Sequence, residues 1–157
     1  MIFLLSLCLS AVTLVAGDSE LARGWGDGIE WRTFDEALPE AKSSNKPIMV
    51  LFHKTWCGAC KALKPQFAAN MEIQKLSQHF VMVNIQDDED PKDSKFAPDG
   101  GYIPRIIFLD SNGDVQVDII NNEGNPSYKY YYPDPNNIVS TMKQVAVTLG
   151  SATKDEL

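Results

Sequence analysis

The sequence is short of basic residues: 14 Lys and Arg stand against 21 Asp and Glu, for a net charge of −7. Because a phosphate-binding face needs clustered Lys and Arg, this balance argues against a nucleic-acid partner. Metal-ligating side chains are also scarce, with three cysteines and two histidines in 157 residues. A structural zinc site normally needs four such ligands, and neither His53 nor His79 has a partner at zinc-finger spacing. We therefore expect no metal site.

Acceptors for N-linked glycans are also missing. The only Asn-x-Ser match is at residues 125–127, where Pro126 disqualifies it. Residues 1–17, in contrast, form a nearly all-apolar run without a charged side chain. That run is too short for a comfortable membrane span and ends in the small residues Ala16 and Gly17. It predicts a secretory signal peptide at 1–17, with an uncleaved anchor as the alternative because no Lys or Arg precedes it.

The last four residues spell the tetrapeptide Lys154-Asp155-Glu156-Leu157. This tetrapeptide is an address that a retrieval receptor reads to return proteins to the endoplasmic reticulum. Together with the predicted signal peptide, it predicts a resident of the lumen that meets the KDEL receptor and has no membrane segment after cleavage. We expect a single folded domain over 18–150 and a tail over 151–157 that carries the signal.

Cysteine counting narrows the role of the motif Cys57-Gly58-Ala59-Cys60. Cys8 lies inside the predicted signal peptide, so the mature domain keeps only Cys57 and Cys60. A disulfide that closes so short a loop removes little entropy from the unfolded chain, and a domain of this size does not need it. Because metal binding is also disfavoured, redox chemistry is the remaining interpretation.

The apolar pattern predicts an α/β fold in which a mixed central β-sheet is flanked by helices on both faces. Continuous apolar runs at 48–52, 80–85 and 104–109 predict strands covered on both sides. Thr33 and Glu36 form a capping box that starts a helix, and Ile138 to Leu149 has the apolar spacing of a closing helix. Residues 110–114 predict a tight turn that leads into a hairpin strand at 115–120. Residues 87–101 read as a solvated acidic loop.

The cysteine motif follows the first of these strands and begins a helix. A thiolate, not a thiol, attacks a disulfide, and a helix N-terminus stabilises a thiolate through its free N–H groups and its dipole. Gly58 and Ala59 are small and leave Cys57 accessible, whereas Cys60 lies one turn further in. We therefore expect Cys57 to attack and Cys60 to resolve the mixed disulfide.

The motif Trp56-Cys57-Gly-Ala-Cys60, together with Tyr102-Ile103-Pro104 before a later strand, resembles the thioredoxin superfamily. The resemblance implies a thioredoxin fold in which the Ile103–Pro104 bond is cis and faces the cysteines. Ile103 and Pro104 would then form the wall that binds an extended substrate, with Trp56, Gly58 and Ala59 at the rim. A trans Ile–Pro bond that merely starts a strand is the alternative.

The likeness extends over essentially the whole mature chain. The runs Val50–Lys64, FAPDGGYIPRIIFLD, NPSYKYYY and KDEL resemble a small single-domain oxidoreductase group of the endoplasmic reticulum, sibling to the anterior gradient proteins. The siblings share PDG-x-Y-x-PRI but lack the complete cysteine pair, so both cysteines favour the enzyme branch. The resemblance implies disulfide exchange with secretory clients, no small-molecule cofactor, and glutathione or another oxidoreductase as redox partner. A client-binding chaperone, or a metal or iron–sulfur protein bridged through a dimer, are the alternatives.

Two positions depart from related enzymes. Leu51 stands six residues before Cys57, where many thioredoxin-like enzymes carry a buried carboxylate, and Ala59 stands where protein disulfide isomerases carry His. The loss of that His predicts a less oxidising disulfide and, since the proline of thioredoxin is also absent, an intermediate potential. His53 is a candidate proton carrier or a packed histidine. Arg105 is a candidate thiolate stabiliser or a partner in a surface ion pair.

Overall fold

A computed structural model describes residues 19–157, and the predicted signal peptide lies outside these residues. Within this range, four strands form one sheet in the order β1-β3-β2-β4, and five α-helices accompany it. The strands are β1 (Trp31–Arg32), β2 (Ile48–His53), β3 (Val81–Gln86) and β4 (Arg105–Leu109). The helices are α1 (Ser19–Ala22), α2 (Phe34–Ser44), α3 (Gly58–Ala69), α4 (Met71–Leu76) and α5 (Pro135–Thr148). Within 19–157, no helix combines the length and apolar character needed to cross a membrane.

Strand β2 lies at the centre of the sheet, and all six of its residues are buried. It runs parallel to β3, with Ile48 opposite Val81, and antiparallel to β4, with Phe52 opposite Arg105. The short strand β1 pairs in parallel with the other edge of β3. The mixed sheet predicted from the apolar runs is therefore confirmed.

Two apolar clusters bury the two faces of the sheet. Met49 and Leu51 of β2 join side chains of α3, α4 and α5 in one cluster, while Val50 and Phe52 join α2 in the other. This alternation follows from the pleat of a strand, which sends successive side chains to opposite faces. Helices therefore cover both faces, and the predicted α/β fold class is confirmed.

The prediction of a hairpin strand at 115–120 is wrong, since the structure has no strand there. Val115 forms an isolated bridge with Leu109, and Gln116 N–H donates to Phe108 O at 2.9 Å, after which the pairing stops. Nearer the start of β4, Ile106 N–H instead donates to Tyr130 O at 2.9 Å. The edge of β4 is thus completed by a later segment, which leaves no ladder partner for the rest of 115–120.

Candidate active site

Cys57 and Cys60 form a disulfide at the start of α3, with their Cα atoms 5.2 Å apart. Cys57 is the N-cap of this helix, and the Cys60 N–H donates to Cys57 Sγ at 3.1 Å. A donor aimed at sulfur and the positive end of the helix dipole both stabilise a thiolate when the pair is reduced. Both cysteines are buried, Cys57 at 6% and Cys60 at 1% exposure, so Cys57 is less accessible than the sequence predicts, although it is the more exposed of the two. The roles of attacking and resolving cysteine stay a prediction.

The wall opposite the cysteines is the Ile103–Pro104 loop. The peptide bond between these residues is cis, as the thioredoxin resemblance implied, and Cys57 Sγ lies 3.9 Å from Ile103 O. On the rim, Trp56 is 73% exposed. Gly58 faces open space, since a Cβ added there would meet no atom within 4 Å. The structure therefore places Ile103 against Cys57 and leaves Trp56, Gly58 and Ala59 exposed beside the disulfide, and the role of these residues in substrate binding stays a prediction.

The loop after β3 is more than the solvated acidic segment that the sequence predicts. The carboxylate of Asp87 accepts from Thr55 N–H at 2.8 Å and from Thr55 Oγ1 at 3.2 Å, and these bonds, the backbone one first, lower the pKa of Asp87. Lys54 Nζ donates to Asp87 O and to Asp90 Oδ1, the latter at 2.8 Å. Two acidic residues of the loop therefore hold the turn that precedes Cys57.

Arg105 pairs with an acidic neighbour, since its Nη2 lies 3.7 Å from Asp90 Oδ2, but the pair is not at the surface on the arginine side because that side chain is only 3% exposed. Its Nε donates to Phe96 O at 3.0 Å and its Nη1 to Tyr102 O at 3.1 Å, while the guanidinium lies 3.9 Å from the centre of the Phe52 ring. Burial lowers its pKa, against the opposing effect of Asp90. The sequence did not indicate this burial, since Arg105 opens an apolar strand whose neighbours come from distant segments.

Leu51 and His53 point to the same face of β2, which stays regular to its last residue. Leu51 is fully buried, so an apolar side chain fills the position at which many thioredoxin-like enzymes carry a carboxylate. His53 is 1% exposed, lies 5.1 Å from the Trp25 ring and contacts Asn84 Oδ1 through Nε2 at 3.2 Å. Burial lowers the pKa of His53 to about 4, so its imidazole is neutral at neutral pH. The structure therefore makes it a packed histidine under the site.

The predicted retrieval residues lie far along the chain, after α5. Lys154–Glu156 forms a short 3-10 turn in which Glu156 Oε2 accepts from Thr153 Oγ1 at 2.9 Å. Leu157 is partly buried against the core cluster that contains α5. These residues take no part in the cysteine site. Their role as a retrieval signal stays a prediction.

Across residues 19–157, no group of three or more His, Cys, Asp and Glu side chains is arranged to hold a metal ion. Two acidic residues of the loop after β3 have other partners: Asp87 bonds to Thr55, and Asp90 pairs with Lys54 and Arg105. The absence of a small-molecule cofactor stays a prediction, and what the described residues offer for chemistry is the cysteine pair itself.

The fold and the cysteine pair define a thioredoxin-like protein, and the family described as thioredoxin-like matches residues 30–111. Two solved thioredoxins are similar in fold: one from Thermus thermophilus (TM-score 0.51, 19% identity, 76% of this chain and 88% of that one) and spinach chloroplast thioredoxin f (TM-score 0.50, 18% identity, 74% and 91%).

Closer relatives carry the name anterior gradient protein. Anterior gradient protein 3 of Mus musculus is 39% identical over 153 residues, covering 89% of this chain and 92% of the relative. The human anterior gradient protein 2 homolog is 42% identical over 125 residues, covering 79% and 70%. The chain therefore belongs to the thioredoxin-like family and, within it, to the family of the anterior gradient proteins.

Proposed function

We propose that this protein is a thiol-disulfide oxidoreductase of the endoplasmic reticulum lumen. The observation that carries the proposal is the position of Cys57: it caps a helix, accepts the Cys60 N–H, and lies 3.9 Å from the carbonyl that precedes a cis proline. An extended client segment that lies along Ile103 would meet the reactive sulfur of Cys57 on one side and the Ile103 backbone on the other.

In the reducing direction, the Cys57 thiolate attacks one sulfur of a client disulfide. A Cys57–client disulfide forms, the client S–S bond breaks, and one client thiolate leaves. The Cys60 thiolate then attacks Cys57 Sγ, which releases the second client thiolate and leaves the Cys57–Cys60 disulfide. The reverse sequence oxidises a client dithiol. The electrons reside in the cysteines, and glutathione or another oxidoreductase restores the starting state.

The lumen is proposed from the signal-like run at 1–17 and from the terminal Lys154–Leu157 sequence, which make secretory proteins the clients and the KDEL receptor a partner. Within its family we place the chain beside thioredoxin domain-containing protein 12, which it resembles over the mature chain. Its two intact cysteines, Cys57 and Cys60, support that placement.

The test is a trapping experiment with the full chain in cells. Cys60→Ala leaves Cys57 able to attack but unable to be released, so client adducts should accumulate and disappear on reduction. The matched control replaces both cysteines with Ala. Clients that bind the double variant equally, without reducible adducts, would instead support a chaperone built around exposed Trp56. Stoichiometric metal in the purified wild type would support the metal-bridged alternative.

A further inference from the structure

Asp90 lies between two parts of the candidate active site, the turn that carries the cysteines and the loop that carries the cis proline. Its Oδ1 is 2.8 Å from Lys54 Nζ, and its Oδ2 is 3.7 Å from Arg105 Nη2. Each carboxylate oxygen therefore faces a different cation, and the two cations come from different segments. The side chain of Asp90 is one-third exposed, whereas that of Arg105 is almost completely buried.

Lys54 belongs to the part that carries the cysteines. Its carbonyl accepts the Cys57 N–H at 3.3 Å, which closes the turn from which α3 begins. The neighbouring Thr55 is tied to Asp87 by its N–H and its hydroxyl. The position of the turn, and therefore of Cys57 Sγ, depends on contacts with the loop that contains Asp87 and Asp90.

Arg105 belongs to the part that carries the cis proline, since it directly follows Pro104. Its Nη1 donates to Tyr102 O at 3.1 Å, so this hydrogen bond joins the residues on either side of the cis Ile103–Pro104 pair. The bond from Nε to Phe96 O fixes the guanidinium against the loop before it. The direction of Ile103 O, which faces Cys57 Sγ, depends on this anchor.

We propose that Asp90 is a positioning residue that sets the spacing between the cysteine turn and the cis-proline loop. It touches neither the sulfur atoms nor the substrate wall and acts through Lys54 and Arg105. Reaction with a disulfide-bonded peptide needs both walls, because the peptide lies along Ile103 while its sulfur meets Cys57. Reaction of the reduced protein with a small alkylating reagent needs only the thiolate. Replacement of Asp90 should therefore slow the reaction with the peptide and leave the alkylation rate nearly unchanged.

The kinetic test compares Asp90→Asn with Asp88→Asn in the full chain. Asp88 lies in the same loop, is exposed, and makes no side-chain hydrogen bond or ion pair within residues 19–157, so it controls for the charge change. We expect Asp90→Asn to lower kcat/KM for a disulfide-bonded peptide by about tenfold, which is below the roughly hundredfold loss that a 1 Å misplacement can cause. Its iodoacetamide alkylation rate should stay within about twofold of wild type. Asp90→Glu, which keeps the charge, should recover part of the loss.

A second control removes another contact of the same loop. Glu89 pairs with Arg23 of the N-terminal segment and touches neither wall of the cleft. If Glu89→Gln lowers peptide turnover as much as Asp90→Asn does, the effect is general loosening of the loop, and the positioning role is wrong. Equal turnover in Asp90→Asn and wild type would also overturn it, as would equal losses in turnover and alkylation.

The kinetic arm rests on the proposed function, so a second readout is independent of activity. Amide exchange of the Cys57 N–H, which reports the turn held by Lys54, should accelerate severalfold in Asp90→Asn and stay unchanged in Asp88→Asn. An inactive wild type with this exchange pattern would refute the oxidoreductase proposal and leave the positioning role intact. Unchanged exchange in Asp90→Asn would refute the positioning role itself.

Discussion

The buried His53 makes the stability of this protein depend on pH in a way that one substitution can isolate. Burial lowers its pKa from 6.5 to about 4, while the unfolded chain keeps the ordinary value. Between these values the unfolded chain binds a proton at residue 53 and the folded protein does not. Since protonation then favours the unfolded chain, the free energy of unfolding falls as the pH falls from 6.5 towards 4.

The size of the effect follows from the shift. At about 1.4 kcal/mol per pKa unit, the lowering corresponds to about 3 kcal/mol in total, of which about 2 kcal/mol is lost between pH 7 and pH 4.5. His53→Gln keeps a hydrogen-bonding side chain but does not titrate. Chemical denaturation at several pH values should show the wild type losing about 2 kcal/mol more than this variant over that range.

Carboxylates with lowered pKa values, such as Asp87, Glu36 and Glu89, also lose stabilising charge in acid. They are present in both proteins, so the difference between wild type and His53→Gln removes their contribution. His79→Gln serves as the control for the loss of a histidine elsewhere. Parallel curves for wild type and His53→Gln would refute the reasoning, because they would mean that His53 has the same pKa in the folded protein and in the unfolded chain.

Two further predictions concern the site. Ala59→His places an imidazole, which can donate a hydrogen bond or carry a proton near the Cys57 thiolate, at an exposed position between the cysteines. The potential measured against glutathione should therefore rise by about 30 mV or more, and a wild-type value near the value of about −270 mV for thioredoxin would contradict the expected intermediate potential. Arg105→Lys cannot donate to both Phe96 O and Tyr102 O, so urea unfolding should show a loss of about 2–3 kcal/mol. The control Arg32→Lys, in a partly exposed ion pair, should cost about 1 kcal/mol or less, and equal losses would contradict the assigned role of Arg105.

Sequence patterns were sufficient to predict those helices and strands whose formation depends on neighbouring residues in the chain. The strand at Ile48–His53, the capping box at Thr33 and the helix that begins at Cys57 follow from apolar runs and from the donors at helix ends. Strand β1 was missed because two residues are too few to show a period. It forms since Trp31 is nearly fully buried and pairs with Met82, a contact across fifty residues.

The rest of the site depends on hydrogen bonds and ion pairs between residues far apart in the sequence, which no local sequence pattern indicates. Residues 87–90 have the composition of a solvated loop, and nothing in the sequence indicates that Asp87 turns towards Thr55 or Asp90 towards Arg105. The hairpin at 115–120 was predicted from a turn signal that is real in part, since Gly113 has a φ of +86°. The strand fails to form because Tyr130 takes the place of its partner on β4.

These long-range contacts matter more here because two usual electrostatic groups are missing. Leu51 offers no carboxylate six residues before Cys57, and Ala59 offers no imidazole between the two cysteines. The stabilising groups that remain at the sulfur are the helix dipole and the Cys60 N–H, whose effect depends on distance and direction rather than on a mobile charge. A thiolate stabilised mainly by backbone geometry is sensitive to whatever fixes that geometry. In this protein, Asp87 holds the turn before Cys57 from outside the motif through its two hydrogen bonds with Thr55.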